Sequence, residues 1–163
     1  MNAREAIRLN IDMAQFCCNA YLEDLTDEEL MQRPTPGCNH INWQIGHLVT
    51  ADHDMVDAVA PGAMPALPDG FAARYAKETA DSDDASAFCT KAELQAAAKT
   101  QLQAALTALD SMTDEALSAA APERFREYAP TVGAVFSLLG SHWMMHSGQW
   151  VVVRRQLGRP AMF

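Results

Sequence analysis

The sequence predicts an all-α protein built as a four-helix bundle, and three features of the chain lead to this fold class. Apolar residues recur at helical spacing along four long segments, capping motifs stand at the starts of helices, and no stretch alternates apolar and polar residues for long enough to form a sheet. Hydrophobic residues make up 49% of the 163-residue chain, which is enough to bury one core. We therefore expect a single domain over residues 1–163.

The first two elements are a long helix and a short one. Apolar side chains such as Ile7 and Ile11 predict a helix from about Ala3 to Leu25. The run Thr26-Asp27-Glu28-Glu29 has the pattern of a capping box, in which a hydroxyl and a carboxylate satisfy free backbone N–H groups. A short helix that ends before Pro34 follows from this pattern.

The second long helix is expected from about His40 to Val59, with Asn39 as its N-cap. The segment from Gly62 to Ser86 is rich in Pro, Gly and Asp. Such a composition indicates a long crossover connection between the ends of the bundle and not a core element.

The second half of the chain predicts two further long helices. The capping box Thr90-Lys91-Ala92-Glu93 starts a helix that runs to about Leu109, and Thr113 to Ala120 form a short helix. Thr131 caps a last long helix that ends near Leu157. The prediction is thus four long helices, a long crossover and two short extra helices.

Charge and composition exclude several classes of partner. The net charge is −9, which opposes binding to nucleic acid. The chain has neither an apolar run of about 20 residues nor the layout of a signal peptide, and its four cysteines lack zinc-knuckle or disulfide spacing. We expect a cytoplasmic protein with no nucleic-acid and no membrane partner. The basic run Arg154 to Arg159 is interpreted as complementing the negative end of a helix dipole.

Two histidines of the last helix have the spacing of a metal chelate. His142 and His146 are four residues apart, so both imidazoles project from one side of a helix. They share a stripe with Val135, Leu139 and Gln149, which points the rings toward the core. Leaving such polar groups buried and unpaired costs about 1–3 kcal/mol each. A metal ion would satisfy them, and hydrogen bonds to carbonyl groups or water are the alternative.

Four polar residues of the second long helix are weaker candidates. His47 lies toward the edge of the apolar face, and Gly46 beside it allows another backbone to approach, which favours an inward orientation. Asp52 lies within the apolar arc, where it can serve as a base or accept a hydrogen bond from a ligand histidine; the alternative is a partly exposed carboxylate. His40 is expected to cap the helix, and His53 to be solvated.

Other residues are assigned to packing. The small pair Ser147-Gly148 is expected to permit close helix packing, and Gln149 to form buried hydrogen bonds. Trp43, Trp143 and Trp150 are interpreted as core residues, with pocket lining as the alternative.

Four stretches of the chain together resemble one known family. These are the run from Thr26 to Gly37, the run from Asn39 to Leu48 with its Gly-His-Leu, the run from His142 to Gln149, and the run from Arg154 to Pro160. In order and spacing they are similar to the DinB-like superfamily. The resemblance implies a four-helix bundle with a long crossover, often a homodimer, with one divalent metal ion. The ligands implied are His47, His142 and His146.

The resemblance leaves the chemistry open. It implies zinc or nickel first, with iron, manganese or copper as further candidates. Three histidine ligands leave a coordination position open, which suits catalysis. A metal-dependent hydrolase and a transferase that uses a low-molecular-weight thiol cosubstrate both follow, each acting on a small-molecule substrate. The alternative is a non-enzymatic bundle that binds a small molecule or a protein partner, with a structural metal or none.

Overall fold

The structure is a computed structural model that describes residues 1–160 and 162–163, and it confirms the all-α fold class. Four long helices form the bundle, and three short helices lie in the connections between them. In chain order the helices are α1 (Ala3–Leu22), α2 (Asp27–Leu30), α3 (Ile41–Val59), α4 (Phe71–Arg74), α5 (Lys91–Ser111), α6 (Asp114–Ser118) and α7 (Val132–Gln156). None of these helices is both long and apolar enough to cross a lipid bilayer, as far as the described residues go.

The predicted caps at three helix starts are confirmed. Thr26 and Thr90 each accept a hydrogen bond from the backbone N–H three residues on. The carboxylates of Glu29 and Glu93 accept from the backbone N–H of Thr26 and Thr90, which completes both capping boxes. Thr131 caps α7 by accepting from the N–H of Ala134 at 3.2 Å. These caps could be predicted from the sequence because each cap and its hydrogen-bond partner lie within one helical turn.

Two predicted helix ends are wrong. α1 ends at Leu22, three residues before the predicted Leu25. The N-cap of α3 is His40 and not Asn39. His40 accepts a hydrogen bond from the Trp43 N–H through Nδ1 at 3.0 Å, which confirms its capping role and takes the position that the shorter Asn39 side chain was expected to fill.

The crossover between α3 and α5 contributes to the core, so its prediction as a mere connection is wrong. It contains α4 and the 3₁₀ turns Lys77–Thr79 and Ala85–Ala87, which raises the number of short α-helices from the predicted two to three. Phe71 and Tyr75 are buried. The Tyr75 hydroxyl donates to Oδ1 of Asn42 at 3.2 Å and accepts from the N–H of Cys89 at 3.0 Å. These bonds fix the crossover to the starts of α3 and α5.

Close packing of α1 against α7 occurs at Gly140. A Cβ at this position would lie 2.8 Å from the backbone oxygen of Asn10. The pair Ser147-Gly148 was expected to permit close packing, and this is wrong for Gly148, where a Cβ would meet nothing within 4 Å. Its neighbour Ser147 is buried, and its hydroxyl donates to the carbonyl of Met144 at 2.8 Å.

The C-terminal arginines form ion pairs in addition to any dipole effect. Arg154 is buried, pairs with Asp24 and donates to the Tyr21 carbonyl at 2.8 Å. Arg159 pairs with Glu29 at 2.6 Å. The dipole interpretation was therefore incomplete, because two of the three arginines attach the end of α7 to α1, to α2 and to the turn between them.

Candidate metal centre

The structure brings together the three histidines that the sequence and the family resemblance single out. His47 comes from α3, and His142 and His146 come from α7. One nitrogen of each ring can be chosen so that all three lie within 4.8 Å of one another. The ring centroids are 4.9 Å apart for the α7 pair, and 5.2 Å and 5.6 Å from His47 to His142 and His146.

The cluster lies at the boundary of the core. All three rings are half-buried, whereas the fully buried positions of α7 include Leu139, Trp143, Trp150 and Val153. The buried face of α7 is therefore rotated slightly about the helix axis from the predicted stripe, and the histidines face α3 at the edge of the core. The three tryptophans are buried, as their interpretation as core residues requires.

Gln44 fixes the orientation of His146. Its Oε1 is 3.1 Å from Nδ1 of His146 and accepts from the Trp150 indole N–H at 2.9 Å. Its Nε2 donates to the Asn39 carbonyl at 2.6 Å and to Oε1 of Gln149 at 3.0 Å. Because the indole can only donate and the carbonyl can only accept, the amide orientation is determined. Nδ1 of His146 then carries the proton, and Nε2 is free to bind a metal.

Trp43 supports the ring of His47. The two rings are stacked, with centroids 5.1 Å apart and planes 7° from parallel. The Trp43 indole donates to the Thr79 hydroxyl at 3.0 Å, so the crossover holds the indole in place. The crossover thereby contributes to the position of a candidate ligand.

Gly46 has a neighbour other than the predicted one. We expected another backbone to come close, but the ring of Tyr75 covers this glycine, and a Cβ would lie 2.2 Å from the ring. The inward side of α3 beside His47 is thus packed by a crossover side chain.

Asp52 is buried, so the alternative of a partly exposed carboxylate is wrong. Its Oδ2 accepts from the Trp143 indole N–H at 2.7 Å, and its Oδ1 has no hydrogen-bond partner among the described residues. Burial raises the pKa of this carboxyl group to about 8. Asp52 therefore bonds to the neighbour of His142 and ties α3 to α7 beside the cluster.

The two remaining histidines stay outside the cluster. His40 caps α3, as described above. His53 was expected to be solvated, but it is half-buried, and its Nδ1 lies 3.1 Å from Oε1 of Gln101. Gln101 in turn donates to the Pro65 carbonyl at 3.0 Å, so His53 ties α3 to α5 and the crossover.

Electrostatics favours the metal-binding form of the cluster. Burial, with a smaller contribution from the neighbouring histidines, lowers the pKa of His142 and of His146 to about 4. Burial also lowers the pKa of His47 below its ordinary value. The three rings are therefore neutral at pH 7, and neutral imidazole is the form that binds metal ions.

The donor set fits a divalent ion such as zinc. Tetrahedral Zn–N bonds of about 2.0–2.1 Å place ligand nitrogens about 3.3 Å apart. The nitrogens already lie within 4.8 Å of one another, so each pair has to approach by at most about 1.5 Å to reach this spacing. Three imidazoles leave one tetrahedral position for another ligand, so the cluster is compatible with metal binding.

A cavity of about 520 Å³ opens beside the cluster, with His142 in its wall. This volume lies within the range of small-molecule sites. Its other walls come from α3, α7 and the segment before α7. The residues are Ala51, Asp54, Met55, Arg124, Phe125, Tyr128, Leu138, Ser141 and Met145.

The roles of Gln44 and Trp43 were not predicted from the sequence. Both precede His47 on the same helix, by three and four residues, which places them beside it on the helix surface. An amide and an indole at this spacing from a candidate ligand are a usable signal, although only the position of α7 shows that Gln44 serves His146 instead of His47.

Comparison with known proteins identifies the family. The chain is similar to a conserved protein from Enterococcus faecalis of known crystal structure, with 19% identity, a TM-score of 0.69 and coverage of 98% of this chain and 99% of that one. At this identity the likeness shows the shared fold. A comparison with curated proteins gives no match. The sequence model of the DinB superfamily matches residues 18–150, which include all three histidines, and the chain therefore belongs to the DinB superfamily.

Proposed function

We propose that this protein binds one divalent metal ion through His47, His142 and His146 and acts as a metal-dependent enzyme on a small molecule. The observation that carries the proposal is the meeting of three neutral histidines, one of which, His142, lines a cavity of about 520 Å³. A structural site would be closed by a fourth protein ligand. Here the cluster consists of three histidines within the described part of the chain.

The reaction is hydrolysis or the transfer of a low-molecular-weight thiol. A divalent ion held by three neutral ligands supplies Lewis acidity, which activates a water molecule or a thiol at neutral pH. Gln44 holds the His146 ring in the tautomer that leaves Nε2 free, and Trp43 supports the plane of His47. Zinc or nickel suits imidazole ligands best, and iron, manganese and copper remain candidates.

Asp52 is proposed as a positioning residue instead of the base. It is buried, carries a proton at neutral pH and bonds to Trp143. A protonated carboxyl group cannot accept a proton from a substrate, so its contribution passes through the indole next to His142.

Metal analysis tests the binding half of the proposal. Protein purified without a histidine tag is expected to contain about one divalent ion per chain, and His142→Ala is expected to abolish binding, because a site of three ligands loses one. The matched control is His53→Ala, which removes a half-buried histidine of the same bundle outside the cluster. Wild-type protein that stays metal-free after incubation with zinc or nickel would refute the site.

Activity and stability together test the catalytic half. The metal-loaded protein is screened for ester and amide hydrolysis and for addition of small thiols to electrophiles, in parallel with chelator-treated protein. The proposal expects an activity that disappears with the metal while the thermal midpoint falls only slightly. If chelation unfolds the bundle and no screened reaction responds to metal, the non-enzymatic alternative with a structural ion is supported.

A homodimer in the cytoplasm completes the proposal. Leu9, Met13 and Phe16 form an exposed apolar stripe along α1, which supports packing against a second copy. All four cysteines are free, which fits a reducing compartment. Sedimentation analysis of the wild type and of Met13→Glu tests the dimer: a wild-type monomer at micromolar concentration contradicts it.

A further inference from the structure

The cavity beside the histidines is a cleft that extends away from them between α3 and α7. His47 on α3 faces His142 and His146 on α7, while Met55 further along α3 shares the cleft with Leu138 earlier on α7. The two helices are therefore antiparallel, and the cleft follows the seam between them. Asp54 is seven residues beyond His47, so the cleft extends about 10 Å from the cluster at 1.5 Å per residue.

The walls of the cleft are mainly apolar. Phe125 and Met55 are buried at its base, and Tyr128 and Met145 stand exposed at its rim. The polar groups are concentrated toward its two ends, with His142 at one and Arg124 beside Asp54 at the other. An apolar body fits between these ends.

Arg124 is held in place at the far end. Its Nη2 donates to the Asp54 carbonyl at 3.1 Å, and its guanidinium lies 4.7 Å from the centroid of the Phe125 ring. No carboxylate lies within 4.0 Å of this guanidinium in residues 1–160 and 162–163, since none of the ion pairs there includes Arg124. A guanidinium has five N–H groups, so most of its donors remain for a ligand. Its fork geometry suits a carboxylate.

We infer that the cleft takes an elongated small molecule with an apolar body and a carboxylate. The reacting group lies at the three histidines, and the carboxylate lies about 10 Å away at Arg124. This inference rests on the proposed metal site, because it assigns the other end of the same substrate. The carboxylate of Asp54 lines the same end and opposes the anion, so removing it strengthens binding.

Three hydroxamate probes test the inference on the zinc-loaded protein. Acetohydroxamate reaches the metal alone, octanohydroxamate adds an apolar chain, and suberic acid monohydroxamate adds a carboxylate at the end of a chain of equal length. Calorimetry is expected to give increasing affinity in this order, with the carboxylate contributing about five- to tenfold through charge-assisted hydrogen bonds.

Two substitutions and one control separate the contributions. Arg124→Gln is expected to remove the preference for the carboxylate probe and to leave the other two probes unchanged. Asp54→Asn is expected to increase that preference. Arg155→Gln is the matched control, because it removes an exposed arginine at the end of α7 and is expected to change nothing.

The outcomes distinguish this inference from the proposed function. Protein without zinc, or zinc-loaded protein that does not bind acetohydroxamate, refutes the open metal site itself. If acetohydroxamate binds but the carboxylate probe binds no more tightly than octanohydroxamate, the metal site stands and the assignment of Arg124 is refuted. Equal loss of all three probes in Arg124→Gln also refutes it, because that result indicates a general structural role.

Discussion

The position of Gln44 predicts that a residue which does not contact the proposed metal ion changes the affinity of the protein for that ion. Gln44→Met keeps the length of the side chain and removes the whole amide, both the oxygen that accepts from His146 and Trp150 and the Nε2 donor. Loss of an outer hydrogen bond to a ligand histidine weakens metal binding about 10- to 100-fold. The Trp150 N–H is fully buried, so leaving it unpaired costs about 1–3 kcal/mol of folding free energy.

The matched control for this substitution is Gln149→Met. It removes a single acceptor from Nε2 of Gln44, which keeps its 2.6 Å bond to the Asn39 carbonyl. Zinc affinity is measured by competition with a chromophoric chelator, and the stability of the metal-free proteins by urea unfolding. We expect less than a threefold change in affinity for the control. If Gln44→Met loses stability but binds zinc within twofold of the wild type, its proposed role in orienting His146 is refuted.

Two further predictions concern stability. Gly140→Ala should destabilise the protein by about 1–3 kcal/mol, because the added Cβ meets the Asn10 backbone. Gly148→Ala on the same helix should stabilise the protein by about 0.5–1 kcal/mol, because the added Cβ meets no atom and alanine favours the helix. If urea unfolding gives both substitutions the same sign, the packing of Gly140 against α1 is contradicted. The folded-state pKa of about 8 for Asp52 exceeds its ordinary value, so between about pH 4 and pH 8 the folded protein binds the extra proton, and the free energy of unfolding falls as pH rises through this window. Asp52→Asn should remove this contribution while keeping an acceptor for Trp143, and an unchanged pH profile between pH 5 and pH 8 would show that Asp52 is ionised in the folded state.

Features set within one helical turn could be predicted from the sequence. The capping boxes at Thr26 and Thr90 and the pairing of His142 with His146 depend on spacings of three or four residues. Such spacings have the same meaning in any helix, whatever surrounds it. The starts of α2 and α5 and the shared side of the α7 pair were therefore predicted correctly.

Features that depend on a neighbouring helix could not be predicted in the same way. Gly140 and Gly148 look alike along the chain, and only the path of α1 shows that Gly140 is the contact. The edge position of His47 was ambiguous until the antiparallel packing of α3 and α7 placed it opposite the pair. The burial of Tyr75 could not be predicted, because the residue lies in a Pro- and Gly-rich segment whose composition indicates a connection.

The distribution of apolar contacts supports the proposal that the three histidines serve a reaction and not the folding of the bundle. One apolar cluster surrounds the buried Trp143 and Trp150, and a second surrounds Phe136 and Leu109 at the other end of the bundle. Neither cluster includes a histidine, and the three histidines are half-buried. Each cluster includes residues of all four long helices, and the hydrophobic effect scales with the apolar area buried, so this packing stabilises the bundle independently of the histidines. The histidines add a set of neutral nitrogens beside a cleft, and this arrangement is the one that the proposed ion with an exchangeable ligand requires.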